Sequence, residues 1–253
     1  MPGTAVRRLA WTVLAVLAVV ALAFGADAAL RSYAEKRMET EIAQALPKGV
    51  TVPGLRVDVR GFSFIAQYLA GSFTQVDVDA PDIATARGSV EASLVAGDVR
   101  IDRSFSKPPV LGHLTGTLHV TEEAVNSLVA LPDANAAIQL SNETVRYSST
   151  TQVLGVPISY AAAVRPVADG DLVRLYPQSV NVTSGPVHFD VQSLLGDIFN
   201  GKPVNVCIAP YIPAGLEVDD IAVAKSQATI SFHAADFSLA PATFQSHSAC
   251  PAS

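Results

Sequence analysis

Residues 55–80, LRVDVRGFSFIAQYLAGSFTQVDVDA, contain two alternating patterns on either side of a short apolar insert. Val57 and Val59 alternate with charged residues before the insert, and Val76 and Val78 alternate with polar residues after it. Alternation with a period of two is typical of a strand that has one buried face. This stretch therefore predicts two half-buried strands with an apolar connection between them.

The insert between Gly61 and Gly71 holds five large apolar residues in the eight positions 62–69. It is too short for an independent helix and too apolar for a solvent-exposed loop. It must therefore pack against an apolar surface. Two interpretations remain open at this point: a turn that caps an ordinary core, or the lip of an apolar cavity.

Composition places the chain among folded, sheet-rich proteins. Of its 253 residues 49% are hydrophobic and 16% are charged, against about 25% charged in an average domain. A chain of this kind can bury a sizeable core, and its β-branched residues favour sheet. The formal net charge is −6, and no run of lysine or arginine offsets it locally, so we predict no nucleic-acid partner.

The first 28 residues have the pattern of an export signal. Arg7 and Arg8 precede an apolar run over residues 9–24, and Ala26-Asp27-Ala28 offers a small-residue cleavage site. The run is long for a signal peptide and just short of the ~20 residues that cross a bilayer comfortably. Residues 1–28 are therefore a signal peptide or an N-terminal membrane anchor, and we expect cleavage near Ala28. In both cases the protein is exported to the periplasm or cell envelope and is membrane-associated.

The two cysteines, Cys207 and Cys250, are the only pair available for a disulfide, and an exported protein can keep one. Closing a loop of about 44 residues would contribute roughly 4 kcal/mol in the chain-entropy model. We expect this bond to pin the tail, residues 241–253, onto the strand that contains Cys207. No low-complexity linker divides residues 29–240, which we predict to be a single domain.

Three helices and a series of strands follow from the remaining patterns. Residues 30–46 form an amphipathic helix, which either packs on the sheet or lies on the membrane. A second helix starts after Thr121, and a third covers residues 191–199. Asp169-Gly170 predicts a hairpin turn. Strand patterns occupy residues 90–101, 111–120, 158–167, 172–176, 180–183, 187–191, 204–208, 216–218 and 228–239, the last with a bulge between Ala234 and Phe237.

The sequence shows no recognisable catalytic or metal-binding motif. It has no Gly-x-Ser-x-Gly, His-Glu-x-x-His or Cys-x-x-Cys pattern and no glycine-rich phosphate loop. His113 and His119 share the polar side of one strand pattern but stand about 20 Å apart, too far to share a metal ion. Catalytic groups can assemble from distant positions, which keeps an enzyme as the weaker interpretation. We predict a protein that is not an enzyme and has no cofactor or metal.

The chain resembles the actinobacterial LmeA-like phospholipid-binding proteins of the cell envelope. The resemblance rests on the N-terminal apolar segment with its amphipathic helix, on VxVRGFSF at 57–64 leading to LAGSF at 69–73, and on IPAGLxV at 212–218. It covers nearly the whole chain from about residue 28. The stretch Ala209-Pro210-Tyr211 departs from the family pattern.

The resemblance implies an α+β fold: a long curled antiparallel sheet, wrapped in a barrel-like way on an amphipathic helix, similar to the tubular lipid-binding (BPI-like) folds. It implies an exported envelope protein that binds phospholipid acyl chains in an apolar cavity, as a lipid carrier or sensor supporting envelope lipid or glycan assembly. The implied partners are phospholipid, the membrane surface and a protein of envelope biosynthesis. The alternative is an N-terminally tethered, non-enzymatic interaction protein with a filled core that supports envelope biosynthesis.

The lipid-binding hypothesis assigns residues in the opening stretch. We expect the mouth or wall of the cavity at Phe62, Phe64, Ile65, Tyr68, Leu69 and Phe73. Arg60 is the first candidate for a headgroup contact, followed by Arg100, Arg103 and Lys107.

Overall fold

The computed structural model describes residues 3–46, 48–86, 88–104, 106–128, 135–153, 156–184, 187–190 and 203–250. The helices are α1 (Gly3–Ala45), α2 (Phe64–Ala70), α3 (Glu122–Leu128) and α4 (Pro241–Gln245). The strands are β1 (Arg56–Arg60), β2 (Ser72–Thr85), β3 (Gly88–Arg100), β4 (Val110–Thr121), β5 (Ala137–Ser141), β6 (Thr144–Val153), β7 (Val156–Asp169), β8 (Leu172–Ser184), β9 (Val187–Asp190), β10 (Val204–Cys207), β11 (Leu216–Ala224) and β12 (Gln227–Ser238).

The fold is α+β, with two antiparallel sheets and a long N-terminal helix. Sheet A has the strand order β1-β2-β3-β4-β12-β11, and sheet B has the order β10-β8-β7-β6-β5, with β9 paired to β8. Helix α1 runs without a break through the apolar segment and the predicted amphipathic helix. The two segments, expected as separate elements, are therefore one helix.

The two edges of sheet A are covered by different parts of the chain. At β1, the carboxylate of Glu35 accepts a hydrogen bond from the Val59 N–H at 2.9 Å, and Glu39 accepts one from the Val57 N–H at 3.3 Å. At β11, the Val218 N–H donates to the Gly170 carbonyl in the β7–β8 turn. Because α1 and sheet B cover these edges, the edges do not pair with each other. Within the described residues sheet A stays open, and the expected barrel-like closure is not formed.

The pairing in sheet A is interrupted along a line that crosses four neighbouring strands. The pairing is interrupted at one residue in each strand: Thr74, Asp98, Gly112 and Asp236. Asp98 and Asp236 have positive φ values of 50° and 47°. Ala234 and Phe237, on either side of Asp236, are both buried in the same core. Residues three positions apart in a regular strand would lie on opposite faces, so the predicted change of face between Ala234 and Phe237 is confirmed. The adjacent strands share this change.

The second half of the chain matches the sequence-based interpretation in part. The hairpin at Asp169-Gly170 is confirmed, since β7 and β8 pair and Gly170 has a φ of 61°. The hairpin formed by β5 and β6 was not predicted, and its turn contains Glu143 at a φ of 62°. The helix predicted over residues 191–199 lies outside the described residues.

The C-terminal tail is held against the rest of the molecule. Cys207 and Cys250 form the predicted disulfide, with their Cα atoms 5.9 Å apart. The Ala214 N–H donates to the Ser246 carbonyl at 2.9 Å. The ring of Phe244 in α4 packs on a core phenylalanine of β12. The described part of the tail is therefore fixed by a covalent bond, a hydrogen bond and an aromatic contact.

Candidate functional site

One face of sheet A is apolar across all six strands. A complete cross-strand row on this face consists of Val57, Val78, Leu94, Gly116, Phe232 and Val218. The next row on the same face consists of Val59, Val76, Ala96, Leu114, Ala234 and Leu216. Because side chains two positions apart in a strand share a face, the two rows form one continuous apolar surface.

Two packed clusters cover the ends of this apolar surface. The first joins buried residues of sheet A to Met38 of α1 and Phe64 of α2. The second joins Leu140 of β5 to β11 and β12, with Val125 of α3 packed against it. Among the described residues no large side chain is completely buried. The core is therefore split and thin, with more contact at its ends than in its middle.

The middle of the surface is only half-covered. We call this part the apolar strip and define it as Val78, Leu94, Gly116, Leu118, Ile230 and Phe232. Its five large side chains are half-buried, whereas Gly116 is buried beneath two of them. A Cβ atom at Gly116 would lie 2.4 Å from Phe232 and 2.6 Å from Leu94. Burial of half-exposed aliphatic and aromatic groups is favourable at about 25 cal/mol per Å², so the strip is suited to an apolar ligand.

The inward side of α2 borders the apolar surface of sheet A. The ring of Phe64 lies 5.5 Å from that of Phe73, which is buried, and 6.4 Å from that of Tyr68. Phe64 and Tyr68 are four residues apart and therefore share one side of the helix. The structure thus brings three of the six residues expected at the cavity together at the end of the sheet.

The outward side of α2 is apolar and exposed. Phe62 is 85% exposed and Leu69 is 61% exposed, while Ile65 is half-buried. The ring of Phe62 makes an edge contact with Phe24 of α1, with the centroids 5.8 Å apart. Ile65 and Leu69 lie on this side of α2, and Phe62 precedes its cap. These three of the six expected residues are therefore separate from the inward group.

The N-terminus of α2 is capped by a carboxylate from α1. Asp27 accepts hydrogen bonds from the Ser63 hydroxyl at 2.7 Å and from the N–H groups of Phe64 and Ile65 at 3.0 and 2.9 Å. Arg31, one turn later, donates to the Gly61 carbonyl at 2.8 Å. Sequence reasoning assigned Asp27 only to a cleavage site. A contact across more than thirty residues leaves no local signal that could have revealed it.

The basic residues considered for a headgroup differ in their surroundings. Arg60 donates to Asp77 at 2.7 Å, and this hydrogen bond raises the pKa of the Arg60 guanidinium. Arg100 is paired with Asp236. Arg103 donates to the Leu69 carbonyl at 3.1 Å, which places its guanidinium at the C-terminal end of α2.

Lys107, the fourth of these residues, is exposed in the loop that follows β3. Asp102 organises this loop by accepting hydrogen bonds from the Ser106 and Ser104 hydroxyls. These bonds hold the pKa of the Asp102 carboxyl far below its usual range, and the bond from Ser106 has the largest effect. The loop therefore keeps a fixed negative charge beside the cations of Arg103 and Lys107.

Sheet B carries a separate polar depression. Its volume is about 180 Å³, and its lining includes Ser148, Thr150, Ser159 and Asn181; among the residues that the structure describes, no carboxylate or histidine lines it. The part of the chain that the structure describes holds no group of three side chains that could bind a metal ion. This depression was not expected from the sequence, and it lies on a different sheet from the apolar strip.

The comparisons with known proteins identify a family for this chain. Residues 25–233 match the family model described as LmeA-like phospholipid-binding. No curated protein and no solved structure matches the chain. The matched residues include α2, the whole apolar strip and the second half of α1. The family match spans most of the sequence, and the chain therefore belongs to the LmeA-like phospholipid-binding family.

Proposed function

We propose that the protein is an exported cell-envelope protein that binds phospholipid acyl chains along the apolar strip, as a carrier or sensor in envelope lipid or glycan assembly. The observation that supports this proposal is a half-covered strip of large apolar side chains between two packed clusters. Membership of a phospholipid-binding family points to the ligand class. The curled sheet A is, on this proposal, one wall of a tubular lipid-binding fold.

The energetics of such a site suit reversible exchange. Each methylene transferred from water to an apolar surface contributes about 0.8 kcal/mol, but transfer from a bilayer interior contributes close to nothing. An aliphatic site can therefore take a lipid from a membrane and return it without a large barrier in free energy. This is the behaviour expected of a carrier or sensor, and it needs no catalytic group.

The residues around α2 have distinct roles in this proposal. Phe64, Tyr68 and Phe73 close one end of the acyl-chain site, because they contact each other beside the apolar surface. Arg103 is the preferred headgroup contact, because it donates to the end of α2 while Arg60 is engaged by a carboxylate. Arg100 and Lys107 are secondary candidates.

Two features support export to the envelope and contact with a membrane surface. The Cys207–Cys250 disulfide is of a kind that persists outside the cytoplasm. Among the described residues one helical segment, Leu17–Ala45, contains a window apolar enough to cross a membrane, with a mean hydropathy of 1.4. In the alternative function, in which the core is filled and holds no lipid, the protein would act through a protein partner in envelope biosynthesis.

Two neighbouring substitutions in β3 test the proposal. Leu94 lies in the apolar strip, whereas Val95 lies on the opposite face of the same strand and is exposed. We expect Leu94→Asn to leave the protein folded but to lower the amount of bound phospholipid at least several-fold, because the amide would face acyl chains. Val95→Asn should retain lipid like the wild type.

The measurement is mass spectrometry of lipids extracted from each purified full-length variant, with circular dichroism as the check on folding. Lipids that surround α1 are present equally in both variants, so they do not contribute to the difference in phospholipid content between Leu94→Asn and Val95→Asn. Equal phospholipid content in both variants would contradict the proposal. If Leu94→Asn unfolds, Val95→Asn stays folded and the wild type contains no lipid, the result would favour the alternative function, an interaction protein with a filled core.

A further inference from the structure

Three exposed apolar side chains lie on α1, just before α2 and in the last turn of α2. Phe62 and Leu69 are 85% and 61% exposed, and Phe62 touches Phe24, which is 53% exposed. We call Phe24, Phe62 and Leu69 the junction edge. Large apolar groups that cluster on an exposed surface indicate an interaction site.

The junction edge continues the apolar part of α1. Leu17, Val19, Val20 and Leu22 precede Phe24 in the helix and are all exposed. They belong to the run over residues 9–24, after which the helix becomes charged. A bilayer that surrounds this run would end near Phe24, which is where the edge lies. Continuity with this helix makes a lipid surface the occupant that fits the junction edge.

Asp27 fixes the edge relative to α1. Its carboxylate receives three hydrogen bonds from Ser63, Phe64 and Ile65, and it is itself buried. Arg31 adds a hydrogen bond to the Gly61 carbonyl. Cleavage near Ala28 would remove Asp27 and leave two N–H groups at the start of α2 without their acceptor. It would also remove Phe24, the partner of Phe62.

In place of the cleavage near Ala28 expected from the sequence, we propose that α1 is retained in the mature protein as a membrane anchor. The junction edge then inserts into the phospholipid bilayer at the point where α1 leaves it. Phe62 and Leu69 then lie at the depth of the headgroups and upper acyl chains. Arg103, whose side chain ends beside the Leu69 carbonyl, lies at the level of the lipid phosphates. None of the three junction-edge residues belongs to the apolar strip, so docking does not depend on lipid being bound there.

Single spin labels measure the depth of the edge in the membrane. The two native cysteines are bonded to each other, so a cysteine introduced at Phe62→Cys or Leu69→Cys is the only thiol available for labelling. Tyr211→Cys is the matched control, because Tyr211 is also an exposed aromatic residue, at 82%, but lies in a turn beside the tail. The full-length protein is reconstituted in vesicles of equal amounts of phosphatidylcholine and phosphatidylglycerol.

For each label we measure the ratio of its collision rate with oxygen to its collision rate with a water-soluble nickel complex. We expect this ratio to be several-fold higher for the labels at 62 and 69 than for the label at 211. Intact mass spectrometry of the protein from its native envelope should show that residues 9–28 are present. Labels at 62 and 69 that are as accessible to the nickel complex as the label at 211 would overturn the docking edge. A mature chain that begins near residue 29 would overturn the retained anchor. Both readouts are independent of lipid content in the Leu94→Asn and Val95→Asn comparison, so either hypothesis can fail alone.

Discussion

At the scale of single residues, Asp27 connects α1 to the start of α2 through three hydrogen bonds. Helix α2 has seven residues and cannot be stable on its own. Ser63 caps it locally by accepting a hydrogen bond from the Ala66 N–H. Asp27 then accepts from Ser63 and from the first two N–H groups of the helix. A negative charge at this end also interacts favourably with the helix dipole.

Replacement of Asp27 tests this role directly. In Asp27→Ala the amides of Phe64 and Ile65 lose their acceptor, and we expect their hydrogen exchange to accelerate by about tenfold or more. Glu41→Ala is the control, because Glu41 is a carboxylate of the same helix that pairs on the surface with Arg37 and should have little effect. Hydrogen-exchange mass spectrometry of the peptide that contains α2 is the measurement. Equal exchange of this peptide in both variants would show that Asp27 does not hold α2.

At the scale of elements, α2 joins two different surfaces. Its inward side contributes Phe64 to the first core cluster, and Tyr68 stacks beside it. Its outward side presents Leu69 to solvent. A helix that is apolar on two sides must be covered on both. Sheet A covers the inward side, and on our proposal a bilayer covers the outward one.

Charge substitutions on the inward side should separate folding from lipid binding. Phe64 packs against the core, so we expect Phe64→Asp to lower the free energy of unfolding by about 3 kcal/mol or more. Tyr68 is more than one-third exposed, so Tyr68→Asp should cost about 1 kcal/mol or less while it reduces lipid retention. Thermal unfolding and phospholipid extraction of both variants are the measurements. A Tyr68→Asp protein that binds lipid like the wild type would remove Tyr68 from the site.

Local patterns predicted the elements well and the site only in part. Alternation around Val57 and Val76 correctly predicted β1 and β2, and the change of parity before Phe237 is real. The β5–β6 hairpin was missed because its turn uses Glu143 at positive φ, a position where glycine or asparagine would have been the usual signal. The apolar strip was also missed, because a row across six strands depends on register, which no single strand pattern reveals.

At the scale of the whole molecule, the two sheets leave the middle of an apolar surface only half-covered by protein. Helices α1 and α2 pack at one end of this surface, and α3 with β5 packs at the other. The edges of sheet A are closed by α1 and by turns of sheet B rather than by pairing into a barrel. The disulfide ties the tail to β10. The family match covers residues 25–233, which include the apolar strip and both covered edges but not Cys250 of the tail.

Photo-crosslinking inside the full-length protein tests most directly whether phospholipid occupies the apolar strip. A diazirine amino acid is placed at Phe232, in the strip, or at His233, on the opposite face of β12, and the protein is illuminated in phosphatidylglycerol-containing vesicles. We predict an adduct of one phospholipid, attached through an acyl chain, at position 232 and none at position 233, as read by mass spectrometry of the peptide. Adducts at neither position, or equally at both, would contradict the account.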